Sequence, residues 1–578
     1  MKKWETMSKI KKKKENIKNE DVIKSLLKNR GITAKKEIKE FLNPKLSKVT
    51  LASVKINPSQ VKKSVDRIKK AIKNKEQIVV YGDYDVDGIC GSAILWETLN
   101  AQGAKVTPYI PHRIDEGYGL SEKGIENLSI RQAQEKIKNC SLIITVDNGI
   151  VANKAVDFAK KQGIDVIITD HHVPSKTLPK AFSIVHTTLL CGTGVAYMLA
   201  KEFKIHNSKL KIEQDDHLAL VALATVSDMV PLLGANRTLL KHGLLELHKT
   251  KRPGLLALFK EAQINQNLIG VYEIGHIIAP RLNAMGRLES AMDSLRLVCT
   301  TNKERALALA HKLGSTNTER RSVTEEAIAD AKAKVRASNF EKEKLLFISD
   351  KSYEQGVIGL VAGRLVEEFY IPSIVVAKGE IYSKASARSV SGFNIIEFIR
   401  SQTELLVDVG GHPMAAGFTV ETAKLALLEK NLKKRAGELL GEEKLQRSLK
   451  IDMELPVSSL TQTLYDAIQK LQPFGMKNPE PTFMTKNLVI EDMRLVGQDG
   501  KHLKMRFTID DLRLTIEGIA FGMGEKNGFK IGDRVDVAYT LSENEWPARR
   551  SLGEGGNGNK KIELKIKDIK NNLPENSS

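Results

Sequence analysis

Three apolar, β-branched runs in the first third of the chain each stop at acidic or imidazole side chains, and this pattern constrains the fold most. Ile78-Val79-Val80-Tyr81 leads into Gly82-Asp83-Tyr84-Asp85-Val86-Asp87-Gly88. The run LIITV (142–146) leads into Asp147-Asn148-Gly149, and Val166-Ile167-Ile168-Thr169 into Asp170-His171-His172. Short runs without polar alternation, separated by helical patterns, fit parallel strands covered on both faces. The fold class is therefore α/β. In an open parallel sheet the carboxyl ends of the strands share one edge, and ligands bind there.

The chemistry at that edge follows from the residue types. Asp83, Asp85 and Asp87 alternate through one turn. Carboxylates so close repel one another unless a cation neutralises them, and hard oxygen donors suit Mg²⁺ or Mn²⁺. A solvated acidic turn, or a calcium loop, would read the same way taken alone. Asp147 and the Asp170-His171-His172 run change the balance, because imidazole disfavours calcium and suits Mn²⁺. A fourth acid, Asp228, ends an almost wholly apolar helical stretch (218–226) just before Pro231. A carboxylate leaving a buried helix is costly unless paired or metal-bound.

The motifs DYDVDG, VDNG, DHH and SDMVPL, in this order, resemble those of the DHH phosphoesterases, and the chain is most similar to the RecJ-type exonucleases among them. The resemblance spans about residues 55–570. It implies a parallel-sheet DHH lobe and a smaller α/β DHHA1 lobe joined by a long helix, followed by an OB-like β-barrel. It implies two divalent cations, Mn²⁺ or Mg²⁺, held by Asp85, Asp87, Asp147, His171 and Asp228. Asp83 and Asp170 would support them, and His172 would face the scissile phosphate. Many relatives carry His at the position of Tyr81, so one metal position would here be completed by water or held more weakly. The loop between Phe182 and Cys191 also reads as shorter than in relatives.

Further motifs fit substrate binding. Gly410, Gly411 and His412, together with Ser386 and Arg388, resemble the DHHA1 half of the site, where glycines let a backbone approach phosphate. Arginine forks suit phosphate. Arg113, in a glycine-containing loop, and Arg281 and Arg287, near Asn283, match segments that hold DNA in the RecJ-type enzymes. Interface ion pairs are the alternative for these arginines. Phe474, Phe483 and Trp546 are candidate base-stacking platforms and equally candidate core residues.

The expected organisation is a basic tail and lead-in (1–54), the DHH domain (55–300), a connecting helix (301–340) with a break near Gly314, the DHHA1 domain (341–440) and the barrel domain (441–578). Asp499-Gly500 and Asn527-Gly528 mark turns between short strands, and 547–556 reads as an inserted surface loop. Lys plus Arg (90) exceed Asp plus Glu (70), giving +20, which favours a polyanionic partner. The four cysteines form no CxxC pair, and no apolar run is long enough for a bilayer. The N-terminus lacks the apolar core of a secretory signal.

Together with the charge and the lack of an apolar span, the resemblance implies a cytoplasmic, monomeric enzyme acting on single-stranded DNA, with room for a helicase and a single-stranded-DNA-binding protein as partners. The implied reaction is 5′-to-3′ hydrolysis to 5′-mononucleotides in repair and recombination. The alternatives are a phosphoesterase for short oligonucleotides, cyclic dinucleotides or pyrophosphate, and a non-catalytic DNA-binding scaffold.

Overall fold

The computed structural model describes residues 2–8, 17–112, 115–117, 119–133, 140–205, 216–338, 340–508, 514–524, 528–544 and 561–572. Two compact units emerge: residues 45–446, and residues 1–44 together with 447–578. The chain opens with β1 (Lys3–Ser8), which pairs in the second of these units.

In the first unit, β2 (Gln77–Gly82), β3 (Lys105–Tyr109), β4 (Cys140–Val146), β5 (Asp165–Asp170) and β6 (Ser183–His186) form a wholly parallel sheet in the order β3-β2-β4-β5-β6. Alternate residues of each strand enter different cores, as the two-residue strand period requires. Ile78, Val80, Leu142, Ile144 and Ile167 pack with the helices Val86–Asn100, Gly192–Ile205 and His217–Ser227. Val79, Tyr81, Ile143, Val166 and Ile168 pack with the helices Glu122–Ala133 and Asn153–Lys161. Both faces being covered explains why these strands lack polar alternation. Parallel pairing brings Gly82 level with Val146, and Val146 level with Thr169. Asp83, Asp147 and Asp170 consequently share one rim.

The helix Lys303–Ala337 runs unbroken for 35 residues, about 50 Å. The break expected near Gly314 does not occur. Gly314 is instead a point of close packing: a Cβ there would lie 2.0 Å from Glu261 Oε1. Beyond it stand β7 (Leu346–Asp350), β8 (Ser373–Ala377), β9 (Tyr382–Arg388), β10 (Leu406–His412) and β11 (Ala415–Glu421), in the order β10-β11-β9-β8-β7. Only β7 and β8 are parallel, and the helix Ile358–Phe369 connects them.

The other unit contains β12 (Ser448–Glu454), β13 (Phe483–Val496), β14 (His502–Thr508), β15 (Thr515–Ala520), β16 (Arg534–Asn544) and β17 (Lys561–Asn571). Pairing runs β13-β14-β15-β17-β16 and returns to β13, which closes a barrel. The turn between β13 and β14 places Asp499 and Gly500 at φ 60° and 64°, the left-handed geometry that an Asp-Gly pair favours. Residues 3–8, expected to belong to the basic tail, form a strand. β1 lies parallel to β12, and Trp4 Nε1 donates to Asp568 Oδ2 at 2.7 Å. In the segment after it, the buried Arg30 guanidinium donates to Asn478 Oδ1, Leu26 O and Pro479 O and pairs with Asp452. Lys-rich composition hid a strand whose alternate residues, Trp4, Thr6 and Ser8, face inward. Phe483 is fully buried against Tyr539, so it is a core residue and not a base platform. Trp546 and the 547–556 loop lie outside the described residues.

One polar network inside the first unit makes stability depend on pH. Burial alone would raise the Glu97 carboxyl. Arg252 Nη1 and Nη2, each donating at 2.7 Å, and His217 at 3.0 Å outweigh burial and hold it at about 2. A depressed carboxyl contributes stability that is present above its unfolded value near 4.5 and is lost as pH falls from there through about 2. The contribution is worth about 3 kcal/mol. Glu97→Gln is therefore expected to flatten the loss of stability between pH 4.5 and 2 in urea unfolding. Parallel pH dependences for the two chains would contradict this.

Candidate metal centre

Each acid at the rim is held by its own local device. Asp85 caps the helix Val86–Asn100: its Oδ1 accepts from the Asp87 and Gly88 amides at 2.9 and 3.1 Å. Gly88 is required there, because a Cβ would stand 2.4 Å from the Asp83 carbonyl oxygen. Asp87 lies in the first turn of that helix and accepts from Gly192 N at 2.6 Å and Thr193 N at 2.7 Å, at the start of another helix. Helix amino ends favour negative charge, so this carboxylate is oriented and stabilised at once. Asp147 follows β4 at φ 63°, a left-handed conformation uncommon outside glycine. Asp170 accepts from the amides of Ile150, His171 and His172 and from His172 Nδ1 at 2.8 Å. Asp228 follows the buried helix His217–Ser227.

These devices bring separate segments together. His171 Nε2 lies 3.1 Å from Asp147 Oδ1, 3.7 Å from Asp228 Oδ2 and 3.8 Å from Asp87 Oδ2. Among the described residues three donor sets form, each with its donor atoms within 4.8 Å of one another: Asp83, Asp85 and Asp147; Asp87, His171 and Asp228; and Asp147, His171 and His172. The first two sets share no residue, so they offer two distinct positions, and the third set overlaps both. Asp83 thus contributes a donor atom, whereas Asp170 appears in no set and instead orients His172. Since Asp170 Oδ1 can only accept, His172 Nδ1 carries the proton in that bond.

Burial and mutual repulsion set the protonation of the cluster. Burial, then the charges of Asp87 and Asp85, push the Asp228 carboxyl up to about 9. Burial and the surrounding aspartates likewise push Asp147 well up, and burial with Asp87 raises Asp85. Burial lowers His171, and Asp87 offsets this only in part. For Asp170, burial acts upward, but the His172 bond and charge with the backbone amides outweigh it and hold the group low. Asp228 Oδ2 is buried with no hydrogen-bond donor among the described residues. Crowded oxygen donors, raised carboxyls and an unsatisfied oxygen fit divalent cations with mixed O/N ligation.

Across the rim lies the second sheet. A cleft of about 720 Å³ is lined by Tyr84, Asp85, Asn283 and Arg287 on one side, and by Gly359, Lys384, Ser386, Arg388 and Gly411 on the other. Arg388 Nη1 donates to Ser386 Oγ at 3.1 Å, and Gly359, near the start of the helix Ile358–Phe369, leaves room for both side chains. The His412 ring stands 6.3 Å from that of His172 at an interplanar angle of 14°. Gly411, at φ 141°, could not carry a Cβ, which would lie 2.4 Å from Ala415 O. Gly410, on the same strand, is exposed.

Other expected residues are placed differently. Arg281 donates to Glu261 Oε2 at 2.8 Å and to Ile277 O, and does not line the cleft. Arg113 lies outside the described residues. Tyr81 points into the core on the opposite side of the sheet, where its hydroxyl donates to Gly119 O at 3.3 Å. Sequence reasoning left three supporting contacts without a role. Gly192 and Thr193 orient Asp87, Asn283 Oδ1 accepts from Val86 N at 2.9 Å, and His186 Nε2 donates to His172 O at 2.7 Å.

Carboxyls that hold protons at neutral pH must release them to bind a cation, so affinity should rise with pH. Calorimetric titration of Mn²⁺ at pH 7 in buffers of different ionisation enthalpy is expected to report at least about one proton released per chain. An enthalpy independent of buffer would contradict the shared-proton state of the cluster.

Comparison with known proteins agrees with this geometry. Residues 77–225 match the DHH family N-terminal domain, 342–438 the DHHA1 domain and 451–553 the RecJ OB domain. The chain is 34% identical over 575 residues to the single-stranded-DNA-specific exonuclease RecJ of Bacillus subtilis, covering 97% of this chain and 69% of that protein. It is 30% identical over 563 residues to RecJ of Escherichia coli, covering 92% and 94%. The crystal structure of RecJ with Mn²⁺ from Thermus thermophilus superposes with a TM-score of 0.78 at 28% identity, over 94% of this chain and 75% of that one. With these three domains matched along the chain and the identity extending over nearly its full length, the chain belongs to the RecJ family of DHH phosphoesterases.

Proposed function

We propose that this chain is a single-stranded-DNA-specific exonuclease that hydrolyses the strand from its 5′ end to 5′-mononucleotides at a pair of divalent cations, Mn²⁺ or Mg²⁺. The observation that carries the reading is the pair of non-overlapping donor sets at the rim of one parallel sheet. Relatives named as single-stranded-DNA-specific exonucleases, and a similar structure titled as a Mn²⁺ complex, support it.

Asp83, Asp85 and Asp147 would hold one cation, and Asp87, His171 and Asp228 the other. Such a pair supplies a water of lowered pKa and neutralises charge on the attacking and leaving oxygens. The chain's own groups do the rest. Against burial, Asp170 accepts the Nδ1 proton of His172 and raises the imidazole, which favours the imidazolium form whose Nε2–H would donate to a phosphate oxygen and add electrostatic stabilisation. Arg388, Ser386, Lys384 and Arg287 present donors from both sides of the cleft to the phosphates on either side of the scissile bond. Gly411 and His412 close the far wall. Contacts of this kind read backbone and carry no base information, so no sequence preference is expected.

A substrate that enters only as a single strand has to be unwound, so the reading includes supply by a helicase and by a single-stranded-DNA-binding protein. It assigns a monomeric enzyme of cytoplasmic DNA repair and recombination. The barrel matched by the RecJ OB domain favours long strands over cyclic dinucleotides, since such barrels track single strands.

Asp147→Ala is expected to reduce Mn²⁺-dependent release of nucleotides from 5′-labelled single strands by at least about a thousandfold, the scale of losing a metal's charge stabilisation. Binding of the same strand in chelator should change less than about threefold, because the phosphate contacts lie elsewhere. Equal loss of both would contradict a metal role for Asp147. Product release from the 3′ end would contradict the polarity.

A further inference from the structure

The helix that forms one wall of the cleft also carries an aromatic pair whose place neither the metal centre nor the phosphate contacts explain. Tyr272 is 64% exposed, and its ring stacks on that of His276 with centroids 4.6 Å apart and planes 18° apart. His276 Nδ1 lies 3.2 Å from Tyr272 O; a carbonyl only accepts, so Nδ1 carries the proton and the ring is locked parallel to tyrosine. Both side chains stand on the solvent face, and an exposed tyrosine of this kind has no role in a core.

The pair is continuous with the site. From Val271 to Leu288 the chain is one helical run, with a π-helical turn at Ile274–Ile278. Such turns are rare overall and are frequent at functional sites. Farther along this run, Asn283 and Arg287 line the cleft. His276 and Tyr272 lie roughly 10 and 16 Å from Asn283 along the helix axis, within reach of a strand leaving the cleft. At the π turn Gly275 lies against Val226, two residues before Asp228: a Cβ on Gly275 would meet Val226 Cγ1 at 3.8 Å. The π turn that carries His276 therefore packs beside the helix that leads to Asp228.

We propose that Tyr272, backed by His276, is a stacking platform for one nucleobase of the single strand still to be digested, a few nucleotides from the scissile phosphate. This rests on the exonuclease reading above. Every base presents a π face, so such a platform raises affinity without sequence preference. Its parallel partner ring keeps it rigid, so little freedom is lost when a base stacks.

The test uses the full chain and a 5′-phosphorylated thymidine 12-mer, with binding followed by fluorescence anisotropy in chelator. Tyr272→Ala is expected to weaken binding about tenfold, the scale of one lost base stack, and Tyr272→Phe to restore most of it. In a ladder of oligonucleotides with one abasic site each, one position should weaken binding to the unsubstituted chain but not to the Tyr272→Ala chain. Unchanged affinity in Tyr272→Ala, or the same abasic loss in both chains at every position, would overturn the proposal. Mn²⁺-dependent digestion of the same 12-mer by the unsubstituted chain reports separately on the exonuclease reading.

Discussion

Repulsion between carboxylates that the fold forces together underlies the rest of this structure. Asp83, Asp85, Asp87, Asp147 and Asp228 reach one rim from three chain segments, largely out of water. In such surroundings burial and mutual repulsion push the Asp85, Asp147 and Asp228 carboxyls towards their protonated forms. A sequence keeps such a cluster at a cost in stability, and function is what offsets that cost. The supporting contacts agree with this view. Asp85 and Asp87 are satisfied by helix amides and Asp170 by three amides and an imidazole, while an oxygen of Asp228 is buried with no donor among the described residues. The first group is positioned by the protein, and the last fits the metal role proposed for Asp228.

Much of the rim was legible in the sequence because the parallel sheet turns chain order into geometry. An apolar run that ends in Asp says both that the run is a buried strand and that the acid lies at its carboxyl end. Three such runs, once parallel, must converge. The same logic reached Asp228 through an apolar helix. It failed where partners are distant in sequence. β1 was hidden because its lysine-rich surroundings read as solvated, and its pairing with β12 spans more than four hundred residues. Arg281 carries the right chemistry for phosphate, but Glu261, twenty residues earlier, holds it. Phe483 carries the right chemistry for stacking, but barrel closure buries it. Residue type sets what a side chain can do, and only packing decides whether it is available.

The contacts without an assigned role share a second feature: they act through backbone. Gly192 and Thr193 hold Asp87 with amides, and His186 holds the carbonyl of His172. The stretch from β6 to that helix, which includes the loop read as shortened, thus bears on the metal centre without supplying a ligand. Similarly, Gly88 and Gly411 matter for the atoms they leave out. The division of labour is consistent across the cleft. One sheet edge gathers negative charge, the opposing sheet gathers the cationic and hydroxyl side chains Lys384, Ser386 and Arg388, and the helix from Val271 to Leu288 lies along the boundary with Asn283 and Arg287 at one end and aromatic rings at the other.

The central claim is that these acids and imidazoles enclose a pair of cations. Anomalous diffraction from crystals of this chain grown with Mn²⁺ tests it most directly. The account predicts two manganese peaks roughly 3.5–4 Å apart, one against Asp83, Asp85 and Asp147 and the other against Asp87, His171 and Asp228. Peaks confined to other surfaces, or a fully loaded crystal with these side chains turned into salt bridges and no manganese between them, would contradict it.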